Sequence, residues 1–531
     1  MYLLPGFFSL AIILLVTIVP LYSLFNFSVK IDLIDILLND YTIHVLLFTF
    51  LQATLSTIFS VMIAIPVARA FAKRNFFAKN FILRIFSIAL VIPSIIAIFG
   101  IIMVHGKNGW INNFLSFFGL DAGYYLYGLI GILIGHTFFN FPFITRILVQ
   151  TIESIPNEYW RLSSQLGLNS IQIFRYVEWP AIKKSLPGAA SLVFILCFIS
   201  FAVVLTLGGG PQSSTLEVAI FQALRFEYDI EKAVALAILQ FLSCSIMIFL
   251  FLKLSFNTYF YATEKKTFIR PDSKDTFSVF VDTIVIIIAL LLILMPLSAI
   301  FLKGLNIPVL LDLVKKGTLV DPIKNTFFIS ISSATLTIAL ATGLIMTGKI
   351  LKIRLKKNYY GNLLESFSMM PIIFPPILLG TGIFILLKNY INIFEYSIFI
   401  VIIINSLVAL PFVISILSPA IIKVSEEYDK LCRSIGLKGF ARFRYIEWQG
   451  IKKALGFSLA IAITLSAGDL SAIALFGTEN FSTLPMEIYR NLGAYRMHEA
   501  GVISMILLTF NITTFLLLER FVGGRENVRS Q

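Results

Sequence analysis

One run of residues has the spacing of a phosphate-binding loop. Gly343, Gly348 and Lys349 follow the pattern GxxxxGK, in which backbone N–H groups and the lysine would hold the phosphates of a nucleotide. The next residue is Ile350, where the motif needs the hydroxyl of serine or threonine to bind magnesium. The run also closes an apolar stretch and follows no predicted strand, so we expect no nucleotide hydrolysis by this chain.

Polar residues inside apolar stretches are the other candidates for chemistry. Asp469 is the one acid that we place deep in such a stretch, where it could balance a cationic solute or hydrogen-bond a neighbouring helix. His136 and Asn140 stand one helical turn apart, and the repeat described below pairs Asn405 with His136 and Ser200 with Asp469. We therefore take these five residues as candidates for a solute path, with packing between helices as the alternative.

The composition excludes a soluble globular protein. Of the 531 residues, 58% are hydrophobic and 13% are charged, which is roughly half the charged share of soluble domains. A helix needs about 20 apolar residues to cross the hydrocarbon core of a bilayer. Twelve stretches meet this requirement, near 6–28, 45–70, 81–104, 125–148, 186–208, 231–252, 279–301, 325–347, 365–387, 396–420, 455–476 and 499–519.

The distribution of basic residues predicts the orientation. With the N-terminus inside, 31 of the 42 Lys and Arg residues fall in inner loops and 11 in outer loops, as the positive-inside rule requires. Both termini should therefore be cytoplasmic, and the net charge of +13 needs no nucleic-acid partner. None of the three cysteines has a histidine or second cysteine at ligand spacing, so we expect no metal and no cofactor.

Two long inner loops repeat each other. At a constant offset of 269, residues 156–186 and 425–455 share fourteen identities in 31 positions, among them Gly167 and Gly436. The chain is therefore a tandem duplication of six helices, and an even number gives both halves the same orientation about an axis along the membrane normal. We predict an all-α polytopic membrane protein of twelve helices in two parallel six-helix repeats.

The repeat also divides the chain into segments. A loop kept alike in both halves suggests a surface that docks the same object twice, although two amphipathic helices lying on the membrane would look similar. The expected segments are a first helix and outer loop (1–43), a first transmembrane domain (44–252), a linker (253–278), a seventh helix and outer loop (279–324), a second transmembrane domain (325–519) and a tail (520–531).

The repeated loop resembles the signature of permease subunits in binding-protein-dependent ABC importers. That pattern is Glu-Ala-Ala, three residues, Gly, nine residues, then Ile-x-Leu-Pro, and the loop forms the coupling helix that sits in a cleft of the ATPase subunit. Gly167 and Gly436 fall on the family glycine. The Glu-Ala-Ala positions read Arg161-Leu162-Ser163 and Lys430-Leu431-Cys432, so the acidic contact to the ATPase does not carry over. The candidate coupling-loop residues are Glu158, Arg161, Gly167, Glu178, Glu427, Lys430, Gly436 and Glu447.

Three further stretches, 207–224, 466–477 and 482–496, are similar to permeases of bacterial thiamine importers, and the fused permeases of ferric-iron importers are also similar. The resemblance implies a type I ABC importer fold in the bacterial inner membrane. It also implies two copies of an ATPase subunit, a periplasmic solute-binding protein, and thiamine or its phosphates as substrate, with ferric iron as the alternative. The outer stretches 208–211 and 477–498 would receive the binding protein, or simply cap helices. An ion-coupled secondary transporter would need more intramembrane carboxylates than the one found.

Overall fold

A computed structural model describes residues 4–88, 92–120, 123, 125–254, 270, 272, 275–437 and 439–521. The regular elements within these ranges are helices joined by turns and loops. The helices of the first half are α1 (Leu4–Ser28), α2 (Leu33–Leu38), α3 (Asp40–Lys73), α4 (Lys79–Ile88), α5 (Ser94–His105), α6 (Trp110–Phe117), α7 (Leu129–Glu153), α8 (Asn157–Gln165), α9 (Ser170–Ile173), α10 (Trp179–Phe198), α11 (Ala202–Leu207), α12 (Leu216–Gln222) and α13 (Ile230–Leu254). Those of the second half are α14 (Thr276–Gly304), α15 (Ile307–Lys315), α16 (Val320–Lys349), α17 (Asn358–Ser368), α18 (Pro376–Leu387), α19 (Ser397–Ser434), α20 (Gly439–Arg442), α21 (Trp448–Ala467), α22 (Ser471–Phe476), α23 (Leu484–Gly493) and α24 (Met497–Phe521).

Membrane-length helices dominate both halves. Within the described ranges, eleven helical segments are long and apolar enough to cross a bilayer, and the count is twelve if the bent pair α17 and α18 is one span. In each half, three long helices form a bundle: α3, α7 and α10 in the first, and α16, α19 and α21 in the second. The predicted all-helical polytopic class is confirmed.

Four predicted spans are not continuous helices. The third, 81–104, is divided into α4 and α5 by a break at Pro93, and the ninth, 365–387, bends by 87° between α17 and α18 near Pro371 and Pro375. Proline lacks the N–H of a helical hydrogen bond and drives the preceding residue out of the helical region, so a helix stops there. The fifth and eleventh predicted spans also break, each leaving three residues between two helices: α10 and α11, and α21 and α22.

The first helix of each half packs on the opposite half. α1 lies against α16 and α18, and the Gly6 N–H donates to Thr347 Oγ1 at 3.1 Å. α14 lies against α3 and α5, and Arg74, the residue after α3, forms an ion pair with Asp282 of α14 at 2.6 Å. The two halves are therefore interlocked through their first helices.

The two repeated loops lie at one end of the bundle. α1 begins beside the end of α16, and α3, the next long helix, runs back to the end where α1 begins. Residues 156–186 contact the end of α3, and residues 425–455 contact the end of α16. Most of the predicted linker (255–269, 271 and 273–274) and tail (522–531) lies outside the described residues.

Candidate functional site

Two segments, named loop A (residues 156–186) and loop B (residues 425–455), share one local order. Each contains a helix, a glycine, a one-turn helix, a π-helical turn and then the start of a long membrane helix. The π turns, Phe174–Glu178 and Phe443–Glu447, are separated by the repeat offset of 269. The duplication seen in the sequence is therefore a duplication of backbone conformation.

Gly167 and Gly436 each turn the chain between two helices. Their φ angles are +62° and +69°, in the left-handed region that glycine adopts at no steric cost. A Cβ atom at either position would meet no atom within 4 Å, so conformation and not crowding requires glycine. The chain therefore turns sharply at both positions.

The loops differ in how they begin. Pro156 separates α7 from α8, because proline cannot donate the N–H that a continuous helix needs. Its repeat counterpart is Ser425, whose hydroxyl donates to the Ile421 carbonyl at 2.8 Å within the helix. As a result α19 runs for 38 residues without interruption into loop B.

Both loops expose apolar side chains at equivalent positions. These side chains are between 48% and 67% exposed, and neighbouring exposed apolar groups commonly mark a surface that binds a partner. Their matching positions give the two loops the same chemistry on their outer faces. The residues are Leu162, Leu166 and Tyr176 in loop A, and Leu431, Ile435 and Tyr445 in loop B.

Glu178 of loop A points into the protein. It is fully buried, and its carboxylate pairs with Arg69 of α3 at 2.7 Å and with Arg270 of the linker between the halves. Arg270 also binds Asp272 at 3.1 Å, and Lys73 lies 3.3 Å from the same carboxylate. Burial alone would raise the pKa of Asp272, but Arg270 and Lys73 hold that pKa below its ordinary value.

Glu447 of loop B is held by a smaller network. Its Oε1 accepts from Lys349 of α16 and from Arg442, each at 2.9 Å, and Arg442 also pairs with Asp429 at 2.7 Å. Burial alone would lower the pKa of Arg442, but Asp429 and Glu447 raise that pKa above its ordinary value. Lys349 belongs to α16, whereas Asp429, Arg442 and Glu447 all belong to loop B.

The eight predicted coupling-loop residues therefore separate into two groups. Glu158, Arg161, Glu427 and Lys430 are exposed on the outer faces of the loops, as are the two glycines. Glu178 and Glu447 instead fasten the loops to the membrane helices.

His136, Asn140 and Asn405 are buried and bridge helices. His136 Nδ1 lies 3.0 Å from Ser56 Oγ, and Asn140 Nδ2 lies 3.2 Å from Cys197 Sγ. Asn405 Nδ2 donates to Ser466 Oγ of α21 at 3.1 Å. These contacts join α3, α7 and α10 in one half, and α19 to α21 in the other, which is the packing alternative stated above.

Asp469 and Ser200 lie at equivalent helix breaks. Ser200 is in the break between α10 and α11, and Asp469 is in the break between α21 and α22. The Asp469 carboxylate accepts from the backbone N–H groups of Ser471 at 3.1 Å and Ala472 at 3.0 Å, and so caps α22. A Cβ atom at Gly468 would lie only 2.6 Å from Pro93. The break between α21 and α22 in the second half therefore lies close to the break between α4 and α5 in the first half.

Glu217 is an acid that sequence reasoning missed. It is fully buried in α12, where its Oε1 accepts from Gln240 Nε2 of α13 at 2.6 Å, and Oε2 has no partner among the described residues. The segment holding α12 is too short to span a bilayer, so hydropathy gave no sign of burial. A repeated Ser-Thr-Leu, at 214–216 and 482–484, marks the segment, and Pro485 stands where the first copy has Glu217.

Arg225 connects the halves at the end opposite to the loops, and Arg490 binds the same outer stretch from within the second half. Arg225 of the first half donates to the Gly477 carbonyl at 2.6 Å, and Arg490 donates to the Thr478 carbonyl at 3.1 Å. The predicted outer stretch 477–498 therefore contacts both halves of the chain.

The sequence matches one family model twice. The model, described as binding-protein-dependent transport system inner membrane component, matches residues 60–308 and again residues 339–522. The chain belongs to this family. Its two matches correspond to the two six-helix repeats, so this member carries two permease units fused in one chain.

Two relatives of this permease match over nearly its whole length, and a third matches over about half of it. The thiamine transport system permease protein of Escherichia coli (strain K12) is 36% identical over 529 residues, which cover 100% of this chain and 98% of that protein. The protein of the same name from Brucella suis is 36% identical over 490 residues, 92% of this chain and 89% of that protein. A probable transport system permease protein of Clostridium pasteurianum is 26% identical over 250 residues, 46% of this chain and 86% of that protein.

Proposed function

We propose that this permease is the membrane-spanning subunit of an ATP-driven importer that carries thiamine or its phosphates from a periplasmic solute-binding protein into the cytoplasm. The identity of 36% to the thiamine permease of Escherichia coli supports the substrate. The observation that carries the ATP-driven mechanism is the repeated exposed apolar surface of loops A and B.

Loops A and B each receive one copy of a separate ATPase subunit. A partner that docks on Leu162, Leu166 and Tyr176 finds equivalent apolar groups on loop B, so two identical subunits fit one chain. Exposed charges at positions 158, 161, 427 and 430 border these surfaces. The ATPase subunits hydrolyse ATP, and the permease itself is not an enzyme.

The solute path runs between the halves, past the breaks in the broken helices. Asp469 there places a carboxylate where a cationic thiazolium ring would gain most, because charge interactions strengthen away from water. Ser200 occupies the equivalent position in the other half. His136, Asn140 and Asn405 hold the helices on either side, and the His136 Nε2 atom, which has no partner among the described residues, is free to face the path.

The two ends of the bundle take different partners. Loops A and B lie in the cytoplasm with both termini, as the basic residues predict, and the binding protein lands on 208–211 and 477–498. Segments 44–252 and 325–519 are the two transmembrane domains that rock against each other between outward and inward openings.

Transport by the reconstituted complex tests this function. Vesicles that hold the permease, its ATPase and the binding protein should transport thiamine or a thiamine phosphate only when ATP is present on the side of the membrane that carries the ATPase. Uptake driven by a proton or sodium gradient without ATP would overturn the mechanism. Uptake of ferric iron in place of thiamine would overturn the substrate.

A substitution at Asp469 tests the solute path separately. Asparagine caps helices about as well as aspartate, so Asp469→Asn removes the charge and keeps one of the two oxygens that accept from the N–H groups of Ser471 and Ala472. We expect slower thiamine uptake with an unchanged fold, while Asp469→Ala also loses the cap. If Asp469→Asn took up thiamine and each of its phosphates as fast as the wild type does, the charge of Asp469 would have no role in the path.

A further inference from the structure

Loop B contains the cation that pairs with its own inward-facing acid, Glu447. Arg442 binds Glu447 at 2.9 Å and Asp429 at 2.7 Å, and all three residues belong to the loop. Lys349 reaches this network from another element, the end of α16. Loop B therefore supplies from within itself the arginine that pairs with its inner acid.

Loop A lacks both of the corresponding charged residues. At the repeat offset, Ile173 stands in the position of Arg442 and Trp160 in that of Asp429, and both side chains are buried. The acid itself is retained, because Glu178 is the counterpart of Glu447. The duplicated loop has thus kept a buried carboxylate without the loop-borne arginine that would neutralise it.

Arg270 fills this position from outside the loop. Its guanidinium pairs with Glu178 and lies 4.4 Å from the centre of the Trp160 ring, so it contacts these two residues as Arg442 contacts their counterparts Glu447 and Asp429 in loop B. Asp272 continues the network by pairing with Arg270 at 3.1 Å and Lys73 at 3.3 Å. Lys73, Arg270 and Asp272 are all buried, so removing any one of them would leave a buried charge without its partner.

We propose that Arg270 is a positioning residue for loop A, by which the segment joining the halves takes part in coupling ATP hydrolysis to transport. The inference rests on the proposed docking of an ATPase subunit on loop A. Without Arg270, one oxygen of the buried Glu178 carboxylate loses its charged donor and Trp160 loses the cation above its ring. Loop A would then shift from α3, while loop B would stay in place.

The ratio of solute taken up to ATP hydrolysed measures this role. In vesicles with the ATPase and binding protein, Arg270→Ala should lower the ratio at least about fivefold, the low end of coupling between linked sites. Arg442→Ala is the matched change in loop B and should lower the ratio similarly. Lys357→Ala removes an exposed charge from the other half, outside both networks, and should keep the wild-type ratio.

Transplanting the arrangement of loop B into loop A gives the decisive variant. Trp160→Asp and Ile173→Arg, added to Arg270→Ala, supply the loop with its own pair, and we expect the coupling ratio to return to at least half of the wild-type value. A purely structural need for Arg270 in the linker would not be relieved by charges placed inside the loop. If Arg270→Ala alone fails to fold, this triple variant still decides the question.

Two outcomes would overturn the inference. One is an Arg270→Ala complex that is folded and retains the wild-type ratio. The other is a folded triple variant whose ratio stays low. Neither resembles failure of the proposed function, in which the wild-type complex itself would show no ATP-dependent uptake.

Discussion

Loops A and B present the same outer face on different supports. Both have a glycine turn with positive φ, a π turn and three exposed apolar residues in matching places. Inside, loop A is separated from α7 by Pro156 and fastened by Arg270, whereas loop B continues α19 and is fastened by its own Arg442. The two copies have therefore kept the surface that meets a partner and have varied the means of holding it.

Removing Glu178 and Glu447 in turn should separate the two supports most strongly. Glu178→Gln removes the charge that Arg69 and Arg270 share and leaves them with Asp272, and breaking a buried pair costs about 3–5 kcal/mol of unfolding free energy. The Glu447 side chain is 14% exposed, so Glu447→Gln should cost less. Unfolding in detergent micelles with increasing SDS measures both values. Equal losses would show that the supports do not differ in strength.

Exchanging the residues at the start of each loop tests the helix difference. Ser425→Pro places proline inside α19 and should cost about 3 kcal/mol, because it removes a helical hydrogen bond and clashes with the preceding turn. The reverse change, Pro156→Ser, should alter stability by no more than about 0.5 kcal/mol. The same SDS titration applies. A mild effect of Ser425→Pro would mean that α19 tolerates a break like that after α7.

The glycine turns should respond alike. Gly167→Ala and Gly436→Ala force a side chain into the left-handed region, at a cost of about 1–2 kcal/mol each. Gly493 is the matched control, since it too has open space around it but no positive φ, and Gly493→Ala should be close to neutral. A thermal melt of each purified variant measures the order of their stabilities. Different costs at the two turns would break the similarity of the loops.

The exposed apolar residues should affect docking and not folding. Leu162→Ser and Leu431→Ser should each weaken binding of the ATPase by about 1 kcal/mol, roughly fivefold in Kd, with unchanged melting. Leu120→Ser, at an exposed position on the opposite end, is the control. Titration of labelled ATPase against the permease in nanodiscs measures the affinity. Unchanged binding by both variants would remove the basis for the docking surface.

Local features of the sequence predicted much of the architecture. The duplication at an offset of 269, the turns at Gly167 and Gly436 and the helical class all follow from residue type and spacing, and the structure has them. These properties depend on a few neighbouring residues, such as glycine at a position that needs positive φ. Hydropathy missed the breaks near Pro93 and Asp469, because an average over about 20 residues does not register where a helix is interrupted.

The supports of the loops depend on contacts that spacing does not reveal. Arg270 and Glu178 are 92 residues apart, and nothing in either segment specifies the other. The sequence repeat did contain a signal: Glu178 recurs as Glu447, while the partners Arg442 and Asp429 are replaced by Ile173 and Trp160. Glu217 was missed because its short segment did not register as part of the membrane-embedded core.

The interlocking of the first helices also sets the order in which the chain can mature. α1 leaves the ribosome long before the helices it lies against, α16 and α18, which are completed only at Leu387. Until then lipid or the insertion machinery must cover the face of α1 that packs on these helices, since a domain acquires its contacts only as its sequence emerges. The amino-terminal half therefore completes its tertiary structure late in translation, after most of the carboxy-terminal half has been synthesised.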